Sequence, residues 1–340
     1  MSETLFNSYF KKIGDFIYIA LMQKCILQLL VVFFISNGLH AQKKPIIKEI
    51  NVITDNDNYD LELTDRYYSN GFIIQYNWLA KNSKQSVAKK IHRTELAHKV
   101  YNPYKNNESL ASVTANLDRP YAGWFSASYG ATIISKKQHL LTYTFTTGIM
   151  GPGALGEEVQ QNWHKFIGLY KVYGWDEYQL KNEWGFNASA EYYHSILKGE
   201  PTKNFSAHLV SKATLGNTFT NISAGALFKM GWLNAEHESG YWSGNLGANE
   251  KTFRKNEFIF FLEPTVQYQA YNATVQGGLF RKDKGSFTTG IEPIVFQTKT
   301  GIMITGNKMG FRWYYTFRGK EGSMMKKGEH WGTIGLSFRF

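Results

Sequence analysis

The sequence lacks most of the usual means of holding a fold together or running common chemistry. It contains one cysteine, Cys25, which lies within an N-terminal leader-like segment. Disulfides and thiol catalysis are therefore excluded from the remaining chain. Proline is scarce at 7 residues in 340, so few strands or helices need be interrupted. No apolar run approaches the ~20 residues a membrane-spanning helix needs. There is no phosphate-binding glycine loop, no dinucleotide fingerprint and no zinc spacing. No Gly-x-Ser-x-Gly elbow marks a nucleophilic serine. Nucleotide-dependent enzymes, zinc hydrolases and helical membrane proteins all drop out.

Aromatic residues, by contrast, reach 16%, and glycine numbers 31. That mixture suits pleated strands and tight turns. Mean hydropathy is −0.35, which does not exclude a transmembrane barrel, because alternating strands hide their apolar face from any averaging window. Near the N-terminus, Lys24 precedes the apolar run Cys25–Ile35, and small or polar residues follow up to Ala41. This is the pattern of a secretory signal cut after Ala41, with Met22 as the natural start. The expected division is residues 1–41 as extension and signal, and 42–340 as the mature domain. The formal charge of +11 becomes +10 when three lysines and two acids leave with the signal. With export expected, an anionic membrane surface is the partner this charge fits, and not nucleic acid.

The mature region reads as period-two segments. In Phe258–Ala270 the even positions are apolar, while Glu263, Thr265, Gln267 and Gln269 occupy odd ones; Pro264 hints at a bulge. Phe311, Trp313, Tyr315 and Phe317 alternate with Arg312, Tyr314, Thr316 and Arg318. In the last segment Ile334, Leu336, Phe338 and Phe340 oppose Thr333, Ser337 and Arg339. Strands apolar on one face and charged on the other fit a barrel in lipid with a polar interior better than a soluble sandwich. The terminal aromatic resembles the assembly signal of outer-membrane barrels, which makes the barrel-assembly machinery an expected partner during biogenesis. Twelve strands are expected, at about 48–57, 69–79, 91–101, 122–134, 139–150, 179–196, 204–215, 220–232, 257–274, 288–304, 309–319 and 329–340. The fold class is thus all-β, a transmembrane antiparallel barrel. With both termini in the periplasm, parity puts 58–68, 102–121, 151–178, 216–219, 275–287 and 320–328 at the outer rim. The connection 233–256 is longer than a periplasmic turn should be.

The unusual polar clusters all fall at that outer rim. They are Asp55-Asn56-Asp57-Asn58, Asp65-Arg66-Tyr67-Tyr68-Ser69-Asn70-Gly71, Leu117-Asp118-Arg119-Pro120-Tyr121-Ala122-Gly123-Trp124, the run Gly151–His164, and Gly174-Trp175-Asp176 through Glu183. Convergence of distant segments on one end is what a site needs. Val159, Trp163, Phe166 and Ile167 follow helical spacing, so 157–168 is expected as a short amphipathic helix packing its apolar stripe on the rim. His164 lies beside that stripe. An imidazole titrates near working pH and can take a proton from water.

These motifs, in this order, resemble the lipid A 3′-O-deacylase family over roughly residues 48–190; the remainder agrees in strand pattern alone. The resemblance implies a twelve-stranded barrel in the outer membrane that removes the 3′-acyl ester of lipid A with help from Ca²⁺, acting on lipopolysaccharide. It assigns His164 as the catalytic histidine and Asn56 and Asp57 as the family's Asn-Asp pair. Asn56 and Ser69, which stands where the pattern has Thr, are expected to assist catalysis. Asp57 is expected to bind Ca²⁺, a hard cation that takes oxygen ligands, with Asp55, Asp65, Glu157 and Glu158 gathered nearby. The family's lysine in the second outer loop falls on Glu108 in an ungapped match, and Lys105 takes its substrate-binding place only with a shift. Arg119 either contacts substrate or forms a buried ion pair with Asp118. Two other readings stand beside this one: a catalytically silent barrel serving as pore or adhesin, and an outer-membrane phospholipase.

Overall fold

Alternation at period two lets each strand turn one row of side chains inward and the other outward. In a computed structural model, which describes residues 46–60, 65–81, 86–197, 204–248 and 256–340, twelve such strands form a closed antiparallel barrel. They are β1 (Lys48–Asn56), β2 (Tyr67–Leu79), β3 (Val87–Asn102), β4 (Ala122–Ser135), β5 (Leu140–Met150), β6 (Glu183–Ser195), β7 (Phe205–Gly216), β8 (Phe219–Trp232), β9 (Glu257–Asn272), β10 (Ile294–Thr305), β11 (Met309–Arg318) and β12 (Glu329–Arg339). The expected leader, 1–41, lies outside the described residues. Each strand pairs with its sequence neighbours, and β12 closes on β1 from Glu49↔Arg339 to Asn56↔Gly332. No sheet edge is left for lipid to meet.

The faces follow the pattern. Phe145, Phe186, Leu215 and Phe296 stand outward and exposed, as a lipid-facing band requires. At the closing strand Phe338 and Phe340 are exposed, while Thr333, Ser337 and Arg339 are buried inside. The lumen is filled with paired polar groups. Arg339 Nε donates to Glu49 at 2.6 Å, with both side chains buried. Lys212 lies 2.6 Å from Glu263, and Arg318 reaches Glu329 at 2.5 Å.

Three expectations are corrected. β6 starts at Glu183 rather than 179, because Trp175–Tyr178 forms a helical turn and Leu180 bonds Tyr121 across the rim. β10 starts at Ile294 rather than 288, since Thr289 and Glu292 are tied to Val275 and Glu321 of neighbouring loops. Pro264 makes no bulge. Its missing N–H falls where the β8–β9 ladder skips without changing register, and the shift lies at Thr220/Asn221. The long connection after β8 is folded where it is described. Residues 233–248 fold back into the end of the barrel that carries both termini. There Leu233 and Leu246 join the inward-facing Ile91, Ile134, Leu140, Leu227 and Ile259 in one apolar cluster. Glu257 caps this segment by accepting from the backbone of Asn234 and Gly240, and Glu236 joins Lys229 and the Trp242 indole.

The Glu49–Arg339 pair stitches first strand to last. Arg339→Met should destabilise the barrel by about 3–5 kcal/mol, because a buried carboxylate loses its partner. Adding Glu49→Gln should recover most of that loss. Urea unfolding in detergent micelles measures both, and equal loss in single and double variants would show that the unpaired charge is not the cause.

Candidate active site

Glycine allows the rim to be built. Helix α1 (Leu110–Ala115) lies in the second outer connection, and helix α2 (Gly156–Ile167) in the third. A Cβ on Gly156 would stand 2.9 Å from the Trp175 ring and 3.0 Å from Gly123 Cα, so the two glycines let α2 lie directly on β4. Gly123 shares the outward parity of Phe125, and His98, also outward, bonds the Ala154 carbonyl. The start of α2 is therefore seated on the outside of the barrel wall. Val100, Val113, Tyr121, Val172 and Trp175 form a small core beneath the rim.

The helix presents the face opposite to the one expected. Gly156, Gln160 and His164, spaced by four, are its buried residues. The predicted stripe points away instead: Val159, Trp163 and Phe166 are exposed, Phe166 at 81%, and Ile167 is half-buried. Against a lipid-facing wall the outer surroundings are hydrocarbon, so the apolar side turns out and the polar side turns in.

That polar side meets Asp65, on which the site is built. His164 Nε2 donates to Asp65 Oδ2 at 2.7 Å, and Gln160 Nε2 donates to the same oxygen at 2.7 Å. Asn58 Nδ2 reaches Asp65 Oδ1 at 3.2 Å. The Asp65 backbone N–H donates to the Tyr170 hydroxyl, and its carbonyl accepts from Asn106. Gln160 in turn accepts from the Trp175 indole at 2.8 Å. Its carboxylate thereby joins the loop after β1 to helix α2, and its backbone carbonyl adds the second outer connection. His164 Nδ1 faces the Tyr170 carbonyl at 2.8 Å, which requires an N–H there. Both ring nitrogens thus face acceptors, the arrangement of an imidazolium. Burial pulls the His164 pKa down, but the hydrogen bond and charge of Asp65, with the Tyr170 carbonyl, raise it above the ordinary histidine value. Its place in the last turn of α2 favours the same charge.

Beside this pair stand the other expected residues. Asn56, at the end of β1, accepts from the Asn58 backbone at 2.6 Å and donates to Asn70 at 2.5 Å. Asp57 opens a 3-10 turn and accepts from the Arg66 backbone at 2.6 Å. Ser69 sits in a register shift of β2, fully buried, accepting from Asn102 at 2.8 Å. Asn56, Asp57 and His164 are thus linked through Asn58, Asp65 and their bonds.

Two expected residues stand elsewhere. Lys105 pairs with Glu108 at 3.0 Å on the exposed surface. Arg119 is wholly buried under the rim, stacked 4.8 Å from the Tyr101 ring, donating to Thr274 and facing Glu321 at 3.7 Å. Its acidic neighbour is Glu321 and not Asp118, which instead accepts from Tyr67 and Tyr104.

The five expected acids do not gather. Asp55 faces the lumen, bonded to Tyr68 and Thr333. Among the described residues no group of three or more His, Cys, Asp or Glu side chains is placed to hold a metal. The chemistry nearest to a calcium ligand set is Asp57 with the adjacent Asn58, whose buried amide oxygen has no hydrogen-bond partner. That oxygen pair fits a hard cation in kind.

Sequence reading had placed Asp65 at the rim but missed it as the partner of His164. Gln160 and Tyr170 were missed altogether. The available signal was the four-residue spacing of Gly156, Gln160 and His164, the complement of the apolar stripe.

The fold and rim can be compared with known proteins. The sequence profile described as "Outer membrane protein LpxR" matches residues 27–340. Among solved structures, LpxR from Salmonella typhimurium superposes with a TM-score of 0.68 at 18% identity, covering 86% of this chain and 100% of that one. The β domain of the Bordetella autotransporter BrkA gives 0.46 at 9% identity, over 87% and 99% of the two chains. The NalP translocator domain from Neisseria meningitidis gives 0.41 at 11%, over 94% and 98%. A comparison with curated protein sequences finds no match. With a profile match that runs through every strand and every rim motif, this chain belongs to the LpxR family of outer-membrane proteins, the lipid A deacylase family its motifs resemble.

Proposed function

We propose that this chain hydrolyses the 3′-linked acyl ester of lipid A in the outer leaflet of the outer membrane. The observation that carries the reading is the linked set Asn56, Asp57, Asp65 and His164, assembled on the outside of the wall beneath a helix whose exposed face is apolar. A lipid ester can reach such a position without leaving the leaflet.

In the proposed reaction the Tyr170 carbonyl fixes the proton on Nδ1 and reserves Nε2 for chemistry. Nε2 now donates to Asp65, so His164 must first lose that proton and admit water between itself and the carboxylate. Water then gives a proton to Nε2 as its oxygen attacks the ester carbonyl. The Asn56 amide, exchanging its Asn70 partner, and the Ser69 hydroxyl support the developing oxyanion. The imidazolium returns its proton to the departing sugar oxygen, and a free fatty acid is released. Calcium, held by Asp57 and the Asn58 amide oxygen, would polarise the carbonyl when bound.

His164→Ala should lower kcat by about 10²–10⁴-fold, the span of general-base catalysis, while leaving a heat-modifiable folded barrel. Fatty-acid release at the wild-type rate would remove His164 as the base. Because the His164 pKa is raised, the basic form appears only at higher pH, and kcat/KM should climb through a pKa above the ordinary histidine value. Asp65→Asn deletes the charge that raises it, so that limb should move toward acid; an unmoved limb would assign the titration elsewhere. Asp57→Ala should lose activity and Ca²⁺ response together, whereas full activity in excess chelator would end the calcium assignment. Mass spectrometry of lipid A and phospholipid after induced expression separates this reading from a phospholipase.

A further inference from the structure

Beside the His164 site three cations converge on one aromatic ring. The Arg66 guanidinium lies 4.9 Å from the Tyr104 ring centre, Lys326 Nζ 5.5 Å and Lys327 Nζ 5.9 Å. Arg66 comes from the loop before β2, Tyr104 from the second outer connection, and the lysines from the loop between β11 and β12. The juxtaposition is fixed from below. Tyr67 is buried and holds φ +55°, a left-handed conformation that costs a bulky residue energy. Its hydroxyl donates to Asp118 at 2.7 Å and accepts from the backbone of Lys326 at 2.9 Å and Lys327 at 3.3 Å. Asp118 also accepts from the Tyr104 backbone at 2.9 Å. The lysine-bearing loop is therefore pinned to the rim, while both lysine side chains remain exposed.

The two lysine ammoniums on one ring repel each other, and a single aromatic face compensates them only in part. Lys326 also donates to the neutral Asn116 amide at 2.8 Å. Among the described residues neither lysine ammonium forms an ion pair with a carboxylate. Among the described residues Asp118 is held by the bonds above, and Asp57 accepts from the Arg66 backbone at 2.6 Å. Arg66 follows directly on Asp65, which bonds His164, so the cations adjoin the site along the wall.

We infer that Arg66, Lys326 and Lys327 form an anion subsite that takes a phosphate monoester on the sugar head of the glycolipid substrate. This rests on the deacylase reading and deepens it. The subsite anchors the head at the rim while the ester lies under α2, so it governs binding and orientation rather than bond cleavage. The exposed lysines supply the charge and the donors for phosphate oxygens, and the guanidinium adds to the positive field.

The test uses the full barrel in detergent micelles, with Lys327→Gln and Lys326→Gln/Lys327→Gln checked for folding by heat-modifiability. The probes are bisphosphorylated lipid A, the same lipid enzymatically dephosphorylated, and inorganic phosphate as competitor. On the phosphorylated lipid the double variant should raise KM about tenfold with kcat unchanged, the size expected for one lost charge-assisted hydrogen bond. On the dephosphorylated lipid it should match wild type, and Lys327→Arg should restore the single variant. Inhibition by inorganic phosphate that disappears in the double variant would show that the subsite takes the anion itself and needs no lipid. Equal KM for both lipids in wild type, or a wild-type KM for Lys326→Gln/Lys327→Gln on the phosphorylated lipid, overturns the proposal. Equilibrium binding of both lipids separates the two readings. If wild type hydrolyses neither lipid, a preference for the phosphorylated one that vanishes in the double variant keeps the anion subsite and rejects the deacylase. Absence of any preference rejects the subsite.

Discussion

In hydrocarbon an unpaired peptide group costs several kcal/mol, so every strand needs a neighbour on both sides. Closure of β12 on β1 meets that requirement, and much else follows from it. The same register brings Arg339 opposite Glu49 and lets two buried charges neutralise each other inside the wall. It also sets Asn56 and Asp57 at the rim next to β2, because β1 ends there, with its outward row facing lipid.

Closure inverts the familiar logic of burial. The lumen holds charge and hydrogen bonds, the wall carries aromatic residues outward, and the residues between 233 and 248 fill one end with a small apolar core of their own. Helix α2 obeys the same inversion. Its polar stripe packs against the protein and its apolar stripe faces away, the reverse of a helix on a water-soluble domain. A histidine in that polar stripe is thereby placed between wall and helix.

Asp65 organises what collects there. Two donors from α2 converge on one of its oxygens, and one from the 57–60 turn reaches the other. The hydrogen bond and charge of this carboxylate raise the pKa of the histidine against the pull of burial. Both ring nitrogens of His164 face acceptors, Asp65 on one side and the Tyr170 carbonyl on the other. The neighbouring cations on Tyr104 are tied to the same segment through Arg66, so head-group binding and the Asp65 pair share a short stretch of backbone.

The sequence by itself determined the strands, their number, their inward and outward rows, and the sharing of one rim by distant polar motifs. Period-two alternation is a local property, and antiparallel parity turns a count of strands into a statement about ends. The same parity assigned Asn56 and His164 to one rim, and there the structure links them through Asn58 and Asp65. Only the tertiary structure decided that Val159, Trp163 and Phe166 face away from the barrel, because periodicity reveals an apolar face without naming the solvent it meets. Only the tertiary structure joined His164 to Asp65, 99 residues apart, and gave Arg119 the neighbour Glu321 instead of Asp118. Those pairings depend on where closure of the barrel sets each rim loop in space, and no local pattern encodes such a distance.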